Sequence, residues 1–384
     1  MTQQILKAYK VRLYPSDEQQ TFFAKSFGCT RFIWNKMLSD KIDYYQATKT
    51  ILNNTPAQYK AEFAWLKEVD SLALANAQQN LRAAYSKFFK QGAGFPKFKK
   101  KGIKDSYTTN NQKGTVAVTQ NTVKLPKIGH IKAKFPNKIN GLIKSATISR
   151  TPSGKYFVSL LVETISKPLP KTGANIGIDL GLTDFIVLSD GSKVANPKFL
   201  AKLQNKLARE QRILAKRREV AKADQRKLSD SRNYQKQKIK VAKVYEKITN
   251  TRKDFLHKLS FNIIKNHDVI AIEDLNVKGL VKNRKLAKAI SDSSWSAFTT
   301  MLVYKAEWYG KQVVKIDRWF PSSKTCSNCN HLLTKAELPL SVRTWSCPNC
   351  LQKNDRDINA SINILHQGLL LVKHSKTVGA TGLA

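Results

Sequence analysis

Three acidic positions stand in order along this chain, and their surroundings favour chemistry with metal ions. Asp179 and Glu273 each end a short apolar run, while Asp357 opens a segment with helical spacing and has Asp355 as its alternate. A carboxylate is disfavoured in a buried strand. Several carboxylates brought together repel one another, and bound divalent cations offset that repulsion. The pattern predicts a site for two Mg²⁺ ions, with Mn²⁺ as an alternative cation.

Each acid also has a simpler explanation when it is taken alone. Asp179 could cap backbone amides at a strand end, Glu273 could pair with a lysine, and Asp357 could be a helix N-cap. Together they fit an RNase H-like sheet, in which two neighbouring strands and a following helix bring acids to one place. Two metal ions ~3.5–4 Å apart in such a site activate water and stabilise the leaving oxygen of a phosphodiester. Asp179 would contact both ions, and Glu273 and Asp357 would hold one each. Asp357 is preferred to Asp355 because the start of the helix fixes its direction.

The cysteines form a second candidate site. Two C-x2-C pairs stand in the sequence, namely Cys326 with Cys329 and Cys347 with Cys350. Such pairs aim two thiolates each at one ion, so four cysteines predict a closed, structural Zn²⁺ site. Two disulfides or a catalytic redox pair are the alternatives. Cys29 stands alone and is predicted to be a small core residue.

Hydrophobic periodicity predicts the elements that would position these residues. In the first half it predicts a strand at 5–14, a helix opened by the capping box Ser16–Gln19, and helices to about residue 90. Short β-rich runs follow, and they lie at 115–118, 122–125, 146–150 and 156–162, with a hairpin turn at Ser153-Gly154. A strand followed by helices and then by more strands indicates a small barrel interrupted by a helical domain.

The second half reads as a sheet with long helices. Strands are predicted at 175–179, 182–188, 268–273 and 312–316, and helices at 198–228, 236–264, 293–309 and from 357. The two long helices are predicted to be antiparallel. Their facing apolar stripes would be Leu200, Leu203, Leu207 and Leu214 against Ile239, Ile248, Phe255 and Leu259.

Charge indicates the kind of partner. The 384 residues include 67 Lys and Arg against 27 Asp and Glu, a formal net charge of +40. Such a charge repels itself unless a polyanion compensates, so nucleic acid is the predicted partner and an acidic membrane the alternative. No apolar run reaches the ~18 residues of a membrane span, and no signal-peptide pattern opens the chain. A cytoplasmic protein is expected. Phe95 and Phe98, among lysines, could stack on bases or anchor a loop.

Several motifs in this order resemble the TnpB family of transposon-encoded RNA-guided nucleases, which are similar to type V CRISPR effectors. The resemblance covers nearly the whole chain. It rests on Tyr9–Pro15, Gly177–Gly181, Ile272–Asn276, the cysteine pairs and Asn354–Leu365.

The resemblance implies a multidomain α+β and α/β protein. A wedge-type β-barrel would comprise 1–14 and 91–170, with 15–90 as an inserted helical recognition domain. An RNase H-like RuvC nuclease would comprise 171–321 and 352–368, with a zinc ribbon at 322–351 and a flexible tail at 369–384. The catalytic, Mg²⁺-binding acids would be Asp179, Glu273 and Asp357, and the zinc ligands Cys326, Cys329, Cys347 and Cys350.

The implied activity is RNA-guided cleavage of double-stranded DNA beside a short adjacent motif. The guide RNA would come from the transposon end, with one protein chain per RNA and no membrane partner, in the prokaryotic cytosol or nucleoid. An RNase H-like DNA transposase and a nuclease-inactive RNA-guided repressor remain as alternatives. A basic zinc-ribbon protein without catalysis would leave the ordered acids unexplained.

Overall fold

The computed structural model describes residues 3–102, 105–135, 138–339 and 341–380, with the backbone alone for 375–380. The chain folds as two compact units, an N-terminal unit of Gln4–Ile165 and a C-terminal unit of Ser166–Ala384, to which Met1–Gln3 also belong.

The N-terminal unit is built on a seven-stranded sheet with the order β2-β6-β7-β1-β5-β4-β3. Its strands are β1 (Gln3–Tyr14), β2 (Asp105–Asn110), β3 (Ala117–Val118), β4 (Thr122–Leu125), β5 (Gly129–Lys134), β6 (Leu142–Arg150) and β7 (Tyr156–Ser166). Alternation places Tyr156, Val158, Leu160 and Val162 of β7 in the core. The predicted hairpin is confirmed, since Arg150 pairs with Tyr156 across it. Among the described residues, no pairing joins the end strands β2 and β3, so a closed barrel stays a prediction.

Helices follow β1 in the same unit. They are α1 (Asp17–Thr48), α2 (Tyr59–Glu62), a short 3-10 helix (Ala64–Lys67) and α3 (Ser71–Gln91). The predicted capping box is confirmed, because Ser16 Oγ accepts from the Gln19 amide and Gln19 Oε1 accepts from the Ser16 amide. The first half of α1 packs Phe23 and Phe27 on the sheet, and its second half joins α3 in a separate helical core. Cys29 is buried in that helical core, as predicted.

The C-terminal unit contains a five-stranded sheet with the order β10-β9-β8-β11-β12. Its strands are β8 (Asn175–Leu180), β9 (Asp184–Leu188), β10 (Lys193–Ala195), β11 (Val269–Glu273) and β12 (Gln312–Ile316). The pairs β8–β11 and β11–β12 are parallel, whereas β9 and β10 are antiparallel to their neighbours. The strands at 175–179 and 268–273 were predicted because they are short, Ile-rich runs, as buried parallel strands are.

A long helical hairpin connects β10 to β11 of this sheet. It consists of α4 (Phe199–Ala223) and α5 (Arg232–Asn266). The helices are antiparallel, since Gln237 bonds Glu210 while Arg217 bonds the carbonyl of Asn233. The predicted stripe on α5 is partly wrong, because Ile239 is 39% exposed. The residues that face Leu207 are Val241, Val244 and Ile248, since the helical period starting at Ile248 reaches 244 and 241 rather than 239.

The remaining helices are α6 (Val277–Leu280), α7 (Ala287–Ser293), α8 (Trp295–Tyr309) and α9 (Arg356–Ala380), with the small strands β13 (Thr344–Ser346) and β14 (Lys353–Asp355) before α9. The helix predicted at 293–309 begins two residues later, because Ser294 is left-handed with φ 57°.

Helix α9 lies unusually close to the sheet. A Cβ on Gly177 would lie 2.0 Å from the Ser361 carbonyl oxygen, and a Cβ on Gly368 would lie 2.4 Å from the Ala271 Cβ. The helix continues to Ala380 with Val372 buried. The structure therefore differs from the tail predicted from residue 369, and residues 381–384 lie outside the described part. Within the described residues, no helix is both long and apolar enough to cross a bilayer.

Candidate functional site

The strands bring Asp179 and Glu273 to one edge of the C-terminal sheet. Ile178 of β8 and Ile272 of β11 are paired in parallel register, so the two acids occupy the next position on neighbouring strands. Parallel strands end at the same edge of a sheet, which is where α/β folds place their ligands. Both residues are partly buried.

Helix α9 supplies the third acid. The Asp355 carboxylate accepts from the amides of Asp357 and Ile358 at 3.0 Å each, and it is bonded by Lys193 at 2.7 Å. Burial opposes the charge on Asp355, but these partners together lower its pKa. The Asp355 carboxylate therefore caps the N-terminus of helix α9. Asp357 is the acid whose charge reaches Asp179.

Asp179 is the acid whose pKa responds to the other two. Burial raises the pKa of Asp179 to about 7, and the charges of Glu273 and Asp357 add to that rise. Burial also raises the pKa of Glu273, against a hydrogen bond from Ser322 that lowers it. The site would hold its charge more easily with a cation present.

Two further residues touch these acids, and sequence patterns did not single them out. Ser322 is buried, and its Oγ donates to Glu273 Oε1 at 2.6 Å. Arg343 comes from the cysteine-containing segment and lies 3.2 Å from Asp357 Oδ1, with its side chain 62% exposed. Neither belongs to an element with a periodic pattern, so only the three-dimensional fold reveals them.

The four cysteines converge on one point. Their sulfurs all lie within 4.8 Å of one another, with 3.7 Å between Cys326 and Cys350 and 3.6 Å between Cys329 and Cys347. Tetrahedral zinc with ~2.3 Å bonds requires sulfurs ~3.8 Å apart, so the cluster fits the ion. Among the described residues, no three carboxylates have oxygens as close to one another as these sulfurs are. The acids are spread more widely than the thiols.

Hydrogen bonds attach the cysteine segment to helix α9 and to β14 before it. Asn359 and Asn363 donate to the Thr325 carbonyl at 2.7 and 2.6 Å, and Asn354 donates to Cys326 Sγ at 3.8 Å. Arg356 donates to the Pro339 carbonyl at 2.7 Å. Helix α9, which carries Asp357, is thus hydrogen-bonded to the segment that contains the four cysteines. Asn359 and Asn363 are four residues apart, so they lie on one face of the helix, and both are buried. Their spacing was a sequence signal for a polar contact on that face.

The N-terminal unit has a larger hollow than the acid edge. A cleft of about 800 Å³ is lined by cations and hydrogen-bonding side chains, including Lys10, Arg31, Asn76, Asn80 and Ser149. The hollow beside Glu273 measures about 190 Å³.

The two aromatic residues singled out in the sequence differ in their surroundings. Phe95 packs edge-on against Tyr85 at 5.6 Å and Phe88 at 5.3 Å. Phe98 lines the large cleft. The anchoring alternative therefore applies to Phe95.

Family models match three parts of the chain. Residues 157–284 match a family described as "Probable transposase", and residues 295–364 match the "Cas12f1-like, TNB domain". Residues 1–50 match a "Helix-turn-helix domain". That last description differs from the structure, in which a strand is followed by the single helix α1.

Whole-chain relatives and a solved structure agree with these matches. A Streptomyces pristinaespiralis protein named "Putative RNA-guided DNA endonuclease" is 37% identical over 96% of this chain and 91% of its own. An Escherichia coli K12 protein, InsQ, with the same description is 31% identical over 94% and 92%. A mimivirus "TnpB-like protein L79" is 24% identical over 95% and 74%.

Among solved structures, the protein chain of a Cas12f1–sgRNA–target DNA complex matches with a TM-score of 0.59. The match covers 94% of this chain and 98% of that one at 13% identity. The fold is accordingly that of a Cas12f-like multidomain protein with a zinc-ribbon-type segment. The chain belongs to the TnpB family.

Proposed function

We propose that this chain is an RNA-guided DNA endonuclease that hydrolyses phosphodiester bonds at Asp179, Glu273 and Asp357. One observation carries the proposal: Asp179 and Glu273 end neighbouring parallel strands, and the charges of Glu273 and of Asp357 on α9 both raise the pKa of Asp179. The relatives' names and the fold shared with a guided nuclease support it.

The acid site fits divalent cations bound by oxygen, with Mg²⁺ as the proposed ion and Mn²⁺ as its substitute. Such ions lower the pKa of bound water and stabilise the leaving oxygen. The chain's own part is positioning. Ser322 orients Glu273, and Asp355 caps α9 so that Asp357 faces the site. Hydrolysis would leave a 5′-phosphate and a 3′-hydroxyl end.

The cysteine cluster is proposed to hold structural zinc. Its four sulfurs leave no open ligand position, which is typical of a structural site. Zinc would fold residues 322–351 onto α9 through Asn359 and Asn363, and residues 171–321 and 352–368 would form the RuvC-like nuclease.

Guide RNA and target DNA are the proposed partners, and the formal charge of +40 supports binding to polyanions. Base pairing with the guide would supply sequence specificity, so the protein would need to contact mainly backbone and a short duplex motif. The cleft lined by Asn76, Asn80 and Arg31 is proposed to take that duplex, because amides and a guanidinium are side chains that read base edges.

Co-expression with transposon-end DNA, followed by sequencing of any copurifying RNA, tests the guide. The RNA-loaded complex is then given matched and unmatched plasmids with Mg²⁺. Wild type should cut only the matched plasmid, and Asp179→Asn should bind RNA without cutting. Asp230→Asn, an exposed carboxylate between α4 and α5, is the control.

Each outcome distinguishes the candidates. A discrete RNA without cutting indicates a guided binder or repressor. Absence of a specific RNA overturns the guided function and favours a transposase. Cutting by Asp179→Asn would mean that the acid cluster is not the active site.

A further inference from the structure

Trp319 is exposed to an unusual degree. Its side chain is 84% exposed, whereas Trp34, Trp295 and Trp345 are each under a tenth exposed. Tryptophan is among the more buried residues on average, because its large apolar surface is poorly hydrated. An indole in solvent is typical of a contact surface.

The turn that carries Trp319 is fixed in place. Asp317 Oδ1 accepts from the Trp319 amide at 2.7 Å, and the Asp317 carbonyl accepts from the Phe320 amide at 3.2 Å. Phe320 packs on Ile316 and Ile364. Because the backbone is already ordered, a ligand that contacts the indole would lose little of its binding energy to ordering.

Both ends of this turn touch Glu273. Ile316, at the end of β12, pairs with Glu273 in the sheet, and Ser322 donates to its carboxylate at 2.6 Å. Three residues span at most ~10–11 Å, so the Trp319 backbone lies within about that distance of Ser322. The backbone of Trp319 is therefore near the acid edge of the sheet.

The neighbouring cation suits a nucleic-acid ligand. Arg318, the residue before Trp319, is held by Asp274 at 2.8 Å, and its side chain stays 41% exposed. An aromatic ring next to a cation is the combination with which proteins bind single-stranded nucleic acid, by stacking on a base and contacting the phosphate. Bases inside a duplex have both faces covered, so only an unpaired base is available to an indole.

We propose that Trp319 stacks on an unpaired base of the DNA strand that enters the acid site, and so positions the scissile phosphate. The inference rests on the proposed nuclease function. Trp319 would be a positioning residue, since it would act through the base on which it stacks and supplies no proton or metal ligand.

The test uses the RNA-loaded complex and matched DNA in which a single abasic position is moved along the cut strand. Trp319→Ala should slow cleavage of intact DNA roughly 5- to 150-fold, and Trp319→Phe should restore most of the rate. At one abasic position the wild type should slow by a similar factor, and Trp319→Ala should slow no further there. Ile51→Ala, 85% exposed in the other unit, should cut like the wild type.

Two results would overturn the inference. One is a Trp319→Ala complex that cuts at the wild-type rate. The other is an abasic penalty that adds to that of Trp319→Ala at every position, which would mean that the indole contacts something other than a base, such as an apolar protein surface.

A separate readout keeps the inference apart from the nuclease proposal. Single-stranded DNA should quench tryptophan fluorescence of the RNA-loaded complex, and Trp319→Phe should lose that quenching. If the wild type never cuts, the nuclease proposal fails while the quenching still decides whether Trp319 stacks. Equal quenching in Trp319→Phe would overturn the stacking.

Discussion

Replacing Asp179 with asparagine should stabilise the protein when no divalent cation is present. Burial and the charges of Glu273 and Asp357 raise the pKa of Asp179 from 3.8 to about 7. The folded state thus binds this proton more tightly than the unfolded state. Stability is lost as the pH rises from about 4 to about 7, and the whole penalty applies above that window. About three pKa units at roughly 1.4 kcal/mol each give a penalty of up to ~4 kcal/mol.

Asparagine keeps the shape of the side chain and removes its charge. At about pH 8, Asp179→Asn should therefore raise the free energy of unfolding by up to ~4 kcal/mol, or Tm by ~8–16 °C for a unit of this size. Near pH 4 the gain should vanish, because the wild-type carboxyl is then protonated. Excess Mg²⁺ should raise the Tm of the wild type more than that of the variant.

Scanning calorimetry of the purified protein in buffer without divalent cations measures this gain. Chelators are left out because they would also strip a metal from the cysteine cluster. Asp230→Asn removes an exposed carboxylate from the same unit and should leave Tm unchanged. The reasoning is refuted if Asp179→Asn is no more stable than the wild type at about pH 8, or if its gain is the same near pH 4.

Three other substitutions test the supporting structure. Cys347→Ser should release zinc, measured with a colorimetric chelator, and unfold the segment, since such sites contribute ~10–16 kcal/mol of apparent binding energy; full zinc content would contradict this. Arg343→Ala should slow single-turnover cleavage ~10²-fold by removing a cation beside Asp357, with partial recovery in Arg343→Lys; an unchanged rate would show that the contact is incidental. Gly177→Ala should destabilise the C-terminal unit by ~3 kcal/mol or more, because its Cβ would meet the Ser361 carbonyl. Gly28→Ala is the control, because a Cβ added at Gly28 has no atom within 4 Å and the residue lies in helix α1. Alanine there should be neutral or stabilising by ~1 kcal/mol. Equal thermal unfolding of the two variants would contradict the close approach of α9 to the sheet.

The strands that carry the acids could be predicted because local pattern and tertiary role agree there. Ile176 and Ile178 precede Asp179, and Ile270 and Ile272 precede Glu273, so both strands read as buried runs ended by an acid. The cysteine spacing is likewise a local signal for a site that the fold then assembles.

Other elements carry no such signal. In β2 and β5, two alternate positions of each strand are buried, and the other positions hold polar residues and Gly129. The sequence does not separate such strands from polar loops. Helix α9 extends past residue 368 because Val372 still finds a buried position, which only packing decides.

The sequence predicts the residue types of the candidate acid site but not their contacts. Asp355 and Asp357 are two residues apart, and the structure separates them by giving Asp355 the helix cap and a lysine partner. Ser322 and Arg343 come from segments without periodicity. Their contacts depend on the fold of the cysteine segment, which local sequence does not encode.

The most direct test of the central proposal is metal rescue at the scissile phosphate. A phosphorothioate is placed there in matched DNA, and the RNA-loaded complex is assayed with Mg²⁺ and with Mn²⁺, the softer ion for sulfur. Cations held by Asp179, Glu273 and Asp357 predict slow cleavage with Mg²⁺ and recovery with Mn²⁺. Equal slowing with both ions, or no slowing, would contradict direct contact between the scissile phosphate and cations held by these acids.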